Sequence, residues 1–152
     1  MNPILKTLMA TGNKMASRLY VRSNGRIGGS ARGVPVLVLT VPGRKTGKPR
    51  SVPVAYFDHI GGYLVAATAG GSKTDPEWIR NLAAKGQARV QVGENQYDVD
   101  VRIVEGAERD QLWRDVVIQR APGFGKYVEK SGRVIPLAIL TPHSRTRDLR
   151  AK

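Results

Sequence analysis

Two runs rich in β-branched residues, 34–41 (VPVLVLTV) and 51–57 (SVPVAYF), are separated only by a short segment carrying Gly43, Gly47 and Pro49. Runs of this kind bounded by Gly and Pro read as strands, and so short a connection returns the chain antiparallel. The pattern recurs. Residues 63–68 follow a turn at Asp58-His59-Ile60-Gly61-Gly62, 88–92 and 96–104 flank a Gly93-Glu94-Asn95 turn, and 134–140 form a last apolar run. Asp98 and Asp100 alternate with Val99 and Val101, which gives that strand one wet and one buried face. Helical spacing is sparser. It predicts an amphipathic helix over 3–22, loosened near Thr11-Gly12-Asn13, a short helix over 76–85 ending at Gly86, and a longer one over 107–120. About six strands joined by hairpins, with few helices, predict a mainly β (α+β) fold: a small antiparallel barrel with flanking helices. At 152 residues the chain reads as one domain, with 1–33 as an N-terminal helix and Gly-rich loop, 34–142 as the barrel, and 143–152 as a basic tail that frays.

The first hairpin turn, Gly43 to Arg50, carries Arg44, Lys45, Lys48 and Arg50. Glycines let backbone amides approach a ligand, lysines supply point charges, and arginine forks match phosphate or carboxylate. The turn is therefore an anion dock or a solvated hairpin tip. A P-loop is excluded: three residues, not four, separate Gly43 from Gly47, Pro49 stands where a hydroxyl is required, and a strand follows in place of a helix. A second place for an anion is the segment Ala69-Gly70-Gly71-Ser72, which runs into a helix start with Asp75 as cap and Pro76 and Glu77 in the first turn. Trp78, just beyond, is a core anchor or a ring that stacks on a ligand.

Lys and Arg outnumber Asp and Glu by 25 to 12, a formal charge of +13. Nucleic acid, an anionic membrane and an anionic small molecule compete as partners, and the scattered bases and 6% aromatic content speak against nucleic acid. The basic face of residues 3–22 either covers the core or lies on anionic lipid. No apolar run is long enough to span a bilayer and the first residues do not resemble a secretory signal, so the expected location is cytoplasmic, peripheral to the inner face of the cell membrane if that helix meets lipid. There is no cysteine, and His59 and His143 are the only histidines. Thiol, acyl-transfer and histidine-metal chemistry thus lack candidates, and an enzyme of this composition needs a cofactor for its difficult step.

Residues 40–53, with Gly-Arg-Lys-Thr-Gly, Pro-Arg and Val-Pro in order, resemble the signature of the deazaflavin (coenzyme F420)-dependent nitroreductase and quinone reductase family. The likeness continues through Gly61-Gly62-Tyr63-Leu64-Val65-Ala66-Ala67-Thr68-Ala69-Gly70-Gly71, Pro76-Glu77-Trp78-Ile79-Arg80-Asn81-Leu82 and Ile135-Pro136-Leu137-Ala138-Ile139-Leu140-Thr141-Pro142.

This resemblance implies a split β-barrel, related to FMN-binding barrels, that binds coenzyme F420, with FMN as the second choice. By position it implies that Arg44, Lys45, Thr46, Arg50, Ser51, Val52, Pro53, Ala66, Ala67, Thr68 and Ala69 line the cofactor. Glu77, Trp78, Ile79, Arg80 and Asn81 complete that set. On the substrate side it implies Phe124 and Tyr127, the latter as the remaining phenol able to orient an acceptor or donate a proton, since Ala121 stands where some relatives have another tyrosine. Ala69 departs in the same way from relatives with lysine. The expected activity is hydride transfer from reduced F420 to a hydrophobic acceptor, a quinone or a nitro compound, by a monomer or homodimer. A non-catalytic deazaflavin or flavin carrier, and a basic adaptor for membrane or nucleic acid, are the alternatives.

Overall fold

A computed structural model describes residues 3–31 and 33–145. Strands β2 (Val34–Pro42) and β3 (Pro49–His59) form the expected hairpin, in register from Val36↔Ala55 to Pro42↔Pro49. β4 (Gly62–Ala66) returns along β3, and β7 (Leu137–Arg145) pairs with β4. β6 (Asn95–Val104) lies between β7 and β5 (Gln87–Val92). The register Val38↔Gln91, Leu39↔Val90 and Thr40↔Arg89 then joins β5 to β2 and closes a six-stranded antiparallel barrel. A seventh strand, β1 (Ser30–Ala31), pairs with the start of β2. The architecture is the mainly β barrel with flanking helices that the sequence predicts.

Closure gives every strand an inner and an outer face, and side chains alternate between them. Leu37, Leu39, Val41, Val54, Val65, Val90, Val99 and Leu140 fill the interior, and Ile79 and Leu82 of α2 (Glu77–Lys85) close one end of it. On the outer surface α1 (Pro3–Arg22) packs Tyr20 against Val36 and Val38 and crosses β3. The Tyr20 hydroxyl accepts a hydrogen bond from the Gly93 amide at 2.8 Å, pinning the C-terminal end of α1 to the β5–β6 hairpin. A second outer cluster covers β4 and β7: Phe57, Leu64, Leu137 and Ile139 meet Val117, Phe124, Tyr127 and Val128. Those last residues belong to a helical segment made of α3 (Gly106–Leu112), a π-helical turn (Trp113–Val117), α4 (Ile118–Arg120), a 3-10 turn (Pro122–Phe124) and α5 (Gly125–Ser131), and sit on its π-helical turn, 3-10 turn and α5.

Three local expectations are corrected, and the stretch 122–128, for which the sequence predicts no element, gains one. α1 runs unbroken through Gly12: one glycine costs about 1 kcal/mol, which a long helix absorbs. Residues 107–120 are not one regular helix but contain the π-helical turn. The aromatic stretch 122–128 is itself helical. The last strand begins at Leu137 and continues to Arg145, so His143, Ser144 and Arg145 belong to the barrel and not to a frayed tail. Ten-residue β6 supplies the partners, from Val104↔Leu137 to Tyr97↔Arg145, and Pro142 sits opposite Val99 where the register shifts, so its missing N–H is tolerated. The remainder of the predicted tail, 146–152, lies outside the described residues.

At the barrel end away from α2, the rings of Tyr56, Tyr63 and Tyr97 share the interior, with centroids 5.3 Å apart for Tyr56 and Tyr63 and 6.2 Å for Tyr63 and Tyr97. Burial, followed by the neighbouring Tyr97 to which it is hydrogen-bonded, pushes the Tyr63 hydroxyl up to about 12 from 10.0. Burial also raises Tyr20 and Tyr56. The folded state therefore holds these protons where the unfolded chain has lost them. Stability is full below pH 10.0 and declines as pH rises toward about 12. Urea midpoints across that window should fall with pH, and Tyr63→Phe should flatten the slope.

Candidate active site

The β2–β3 turn, the 67–76 connection, α2 and the 132–136 segment all lie at the same end of the barrel, because β4 runs toward it and β7 starts from it. The turn itself is ordered by its own backbone. Gly43 donates to the Lys48 carbonyl and Gly47 to the Gly43 carbonyl, each at 2.8 Å, while the Thr46 hydroxyl accepts from the Lys48 amide at 3.2 Å. A Cβ on Gly43 would stand 3.0 Å from the Thr46 hydroxyl and 3.4 Å from Arg50 Nε, so those side chains would have to shift.

The four cations of the turn divide into two roles. Arg44 Nη1 donates to Glu77 Oε2 at 2.6 Å and to Asn81 Oδ1 at 2.9 Å, and the Arg44 amide donates to the same Oδ1 at 3.0 Å. Arg44 thus ties the hairpin to α2, and Arg80 reaches the other oxygen of Glu77 at 3.7 Å. Lys45, Lys48 and Arg50 are exposed, and their side chains make no ion pair or hydrogen bond among the described residues. Three unneutralised cations on one ordered turn form a donor set suited to phosphate and carboxylate.

Next to them is a surface that could take a ring. Since Val54 points inward, Ser51, Pro53 and Ala55 point out, and the 2.8 Å contact between the hydroxyls of Ser51 and Thr40 lies on that outer face. Ser51 is exposed and Pro53 and Ala55 are half-buried. Ala66 lies buried on the same side on β4, and Thr68 and Ala69 follow it. Phe124 and Tyr127 border this face through Phe57: ring centroids are 5.8 Å apart for Phe57 and Phe124 and 5.4 Å for Phe124 and Tyr127. The Tyr127 hydroxyl makes no hydrogen bond among the described residues.

The structure thus groups Ala66 with Phe124 and Tyr127 and sets the Ala69–Gly71 turn, which follows Thr68, against α5, while Ser51 and Pro53 lie further along the same face of β3, toward Lys45, Thr46 and Arg50 at the hairpin tip. It gives Arg44, Glu77, Arg80 and Asn81 to a brace. Val52, Ala67, Trp78 and Ile79 pack with the barrel interior; Ala67 and Ile79 are buried, while Val52 and Trp78 are half-buried. Asp75 does not cap α2. Pro76 occupies the cap position with no side-chain bond, and Asp75 pairs with Arg133 at 2.7 Å. Arg133 has no sequence signal, standing between Gly132 and Val134 in an otherwise unremarked connection.

Residues 13–142 match the sequence profile of the F420H2-dependent quinone reductase family. The chain belongs to that family. Rv1261c of Mycobacterium tuberculosis strain H37Rv, named as an F420H2-dependent quinone reductase, is 31% identical over 131 residues, 84% of this chain and 88% of the relative. A solved F420H2-dependent reductase structure superposes with TM-score 0.62 at 33% identity, covering 70% of this chain and 93% of that one. Another, described as a domain-swapped dimer, gives 0.64 at 28% identity over 86% and 96%. The family establishes an oxidoreductase whose cofactor is coenzyme F420, and so selects the enzyme over the carrier and the adaptor. Its anionic tail and phosphate fit the three unpaired cations.

Asn81 is 4% exposed and its side-chain oxygen is the acceptor that Arg44 uses twice. Asn81→Leu should therefore destabilise the protein by about 2 kcal/mol, because a half-buried amide and guanidinium lose their partner. Chemical denaturation checks this.

Proposed function

We propose that the outer face of β3 is the floor of the F420 site, and that the enzyme passes two electrons from F420H2 to a quinone held under Phe124 and Tyr127. The observation that carries this reading is the set of three unpaired cations, Lys45, Lys48 and Arg50, beside a half-buried apolar strip at the barrel end. When bound, the reduced deazaflavin supplies the hydride. The remaining tasks fall to the protein. Lys45, Lys48 and Arg50 hold the phosphate and the oligoglutamate tail, and the amides of Thr68 and Ala69 face the phosphate or the ring edge. Pro53, Ala55 and Ala66 give the ring a flat apolar backing. Phe124 and Tyr127 confine the acceptor and exclude water, and the Tyr127 hydroxyl donates to the acceptor oxygen as negative charge develops there. Phe124 cannot donate a hydrogen bond, so nitro compounds are the poorer acceptors.

Arg50→Ala and Tyr127→Phe should separate these roles. The first should weaken F420 binding about tenfold, followed by cofactor fluorescence. The second should lower kcat for a soluble quinone about tenfold or more and leave F420 affinity unchanged. Equal turnover in Tyr127→Phe removes the proton-donor role.

The enzyme also works at a membrane surface in this reading. Ile4, Met15 and Leu19 are exposed along one side of α1, next to Lys14, Arg18 and Arg22. A basic helix with an outward apolar stripe suits the interface of an anionic bilayer, where hydrophobic quinones partition. Among the described residues no helix is long and apolar enough to cross a membrane. Co-sedimentation with vesicles containing an anionic phospholipid should exceed that with zwitterionic vesicles, and Met15→Glu with Leu19→Glu should abolish it.

A further inference from the structure

Arg133 is the most extensively bonded side chain near the proposed site, yet it is on no strand of the barrel. Its side chain is 13% exposed. Nε donates to the Ser72 carbonyl at 2.8 Å and Nη1 to Asp75 Oδ1 at 2.7 Å. Nη2 donates to the carbonyls of Ala67 and Thr68, both at 2.9 Å. The acceptors bracket the 3-10 turn Ala69–Gly71 on both sides. The arginine is fixed at its root. Gly132 ends α5 in the left-handed region at φ 68, the Arg133 amide donates to Ser131 Oγ at 3.3 Å, and the Pro136 carbonyl accepts from Ala67 at 3.0 Å.

The turn needs such a clamp. Ala69 has φ 49, a conformation that a non-glycine residue keeps only when its surroundings impose it. Internally the turn has two bonds, Gly71 to the Thr68 carbonyl at 2.9 Å and Ser72 to the Ala69 carbonyl at 3.1 Å. The amides of Thr68 and Ala69 have no acceptor among the described residues.

We propose that Arg133 is a positioning residue for the cofactor: it holds the 67–75 turn in its strained shape, so that the free amides of Thr68 and Ala69 stand ready before F420 arrives. It touches no ligand itself. Its planar fork reaches three diverging carbonyls and one carboxylate at once, which the ammonium of lysine cannot do. The proposal rests on the reading that the Thr68–Ala69 turn lines the F420 site.

Amide hydrogen exchange and Arg133→Lys test it together. In the cofactor-free wild type, the Gly71 and Ser72 amides should already exchange slowly, and F420 should newly protect those of Thr68 and Ala69. Arg133→Lys should speed exchange at Gly71 and Ser72 and weaken F420 binding by about tenfold, read by fluorescence, since misplacing a preorganised group loses affinity on this scale. At saturating cofactor its kcat and its KM for quinone should stay within about threefold of wild type, a split that general destabilisation does not produce. If Gly71 and Ser72 in the wild type exchange at free-loop rates until F420 is added, the ligand orders the turn and the proposal falls, whatever the variant does. Unaltered F420 affinity in Arg133→Lys, with Thr68 and Ala69 protected in the wild type, overturns the proposal alone. Absence of that protection in wild type saturated with F420 removes the reading beneath it as well.

Discussion

Everything at the candidate site depends on the short contact that closes the barrel, in which Val38, Leu39 and Thr40 of β2 pair with Gln91, Val90 and Arg89 of β5. Closure abolishes the long free edges and commits alternate residues of every strand to a dry interior. It also creates an outer surface that is half apolar and must be covered. α1 covers β2 and crosses β3, and the α3–α5 segment covers β4 and β7. The stretch of β3 between these coverings, Ser51 to Ala55, retains exposed and half-buried positions. The proposed ring site is thus what remains after two helical layers have been laid on a closed barrel, and its shape follows from where those layers stop.

A site of this kind needs its flexible parts fixed without the ligand's help, and two arginines supply that. Arg44 joins the hairpin to α2 through Glu77 and Asn81, and Arg133 joins the 67–75 turn to the entry of β7. Both pairs are only partly exposed, so each bond operates at lower effective dielectric than a surface ion pair and keeps more of its strength. The same residue type that would serve as an anion ligand on an open loop serves here as a fastener, because a carboxylate stands within reach. What separates the two uses is the partner, not the side chain.

That distinction explains what could be read from the sequence. The strands were legible because β-branched runs between Gly and Pro have one reading, and the Gly43–Arg50 motif marked a turn with ligand character. Ser51, Pro53 and Thr68 enter the proposed site as expectations from their place in the motif series. The division of labour among the four cations was not legible: Glu77 and Asn81 are far from Arg44 in sequence, and nothing local says which cation they take. Arg133 was invisible for the same reason, as its acceptors are main-chain carbonyls, which every residue has. The course of α1 through Gly12 depends on the length of the whole helix, and the extension of β7 to Arg145 on pairing with β6, neither of which a local window of sequence displays.

The excess of positive charge is organised by the same logic. Several other arginines are paired with nearby carboxylates: Arg89 with Asp98 at 3.0 Å, Arg102 with Glu108 at 2.7 Å, Arg114 with Asp115 at 3.1 Å. Glu108 sits below its usual carboxylate range because Arg102 hydrogen-bonds to it. On the hairpin tip Lys45, Lys48 and Arg50 have no such counter-charge among the described residues, and Glu77, which braces the hairpin through Arg44, is held by Arg44 and Arg80. The hairpin tip thus sets three uncompensated positive charges side by side at one end of the barrel. A ligand carrying several negative charges is drawn there first by its tail, which raises the encounter rate and orients the ring before any short-range contact forms. The neutral acceptor feels no such pull, so in the proposed reading the two partners are drawn by different forces, the cofactor by charge and the acceptor by apolar contact.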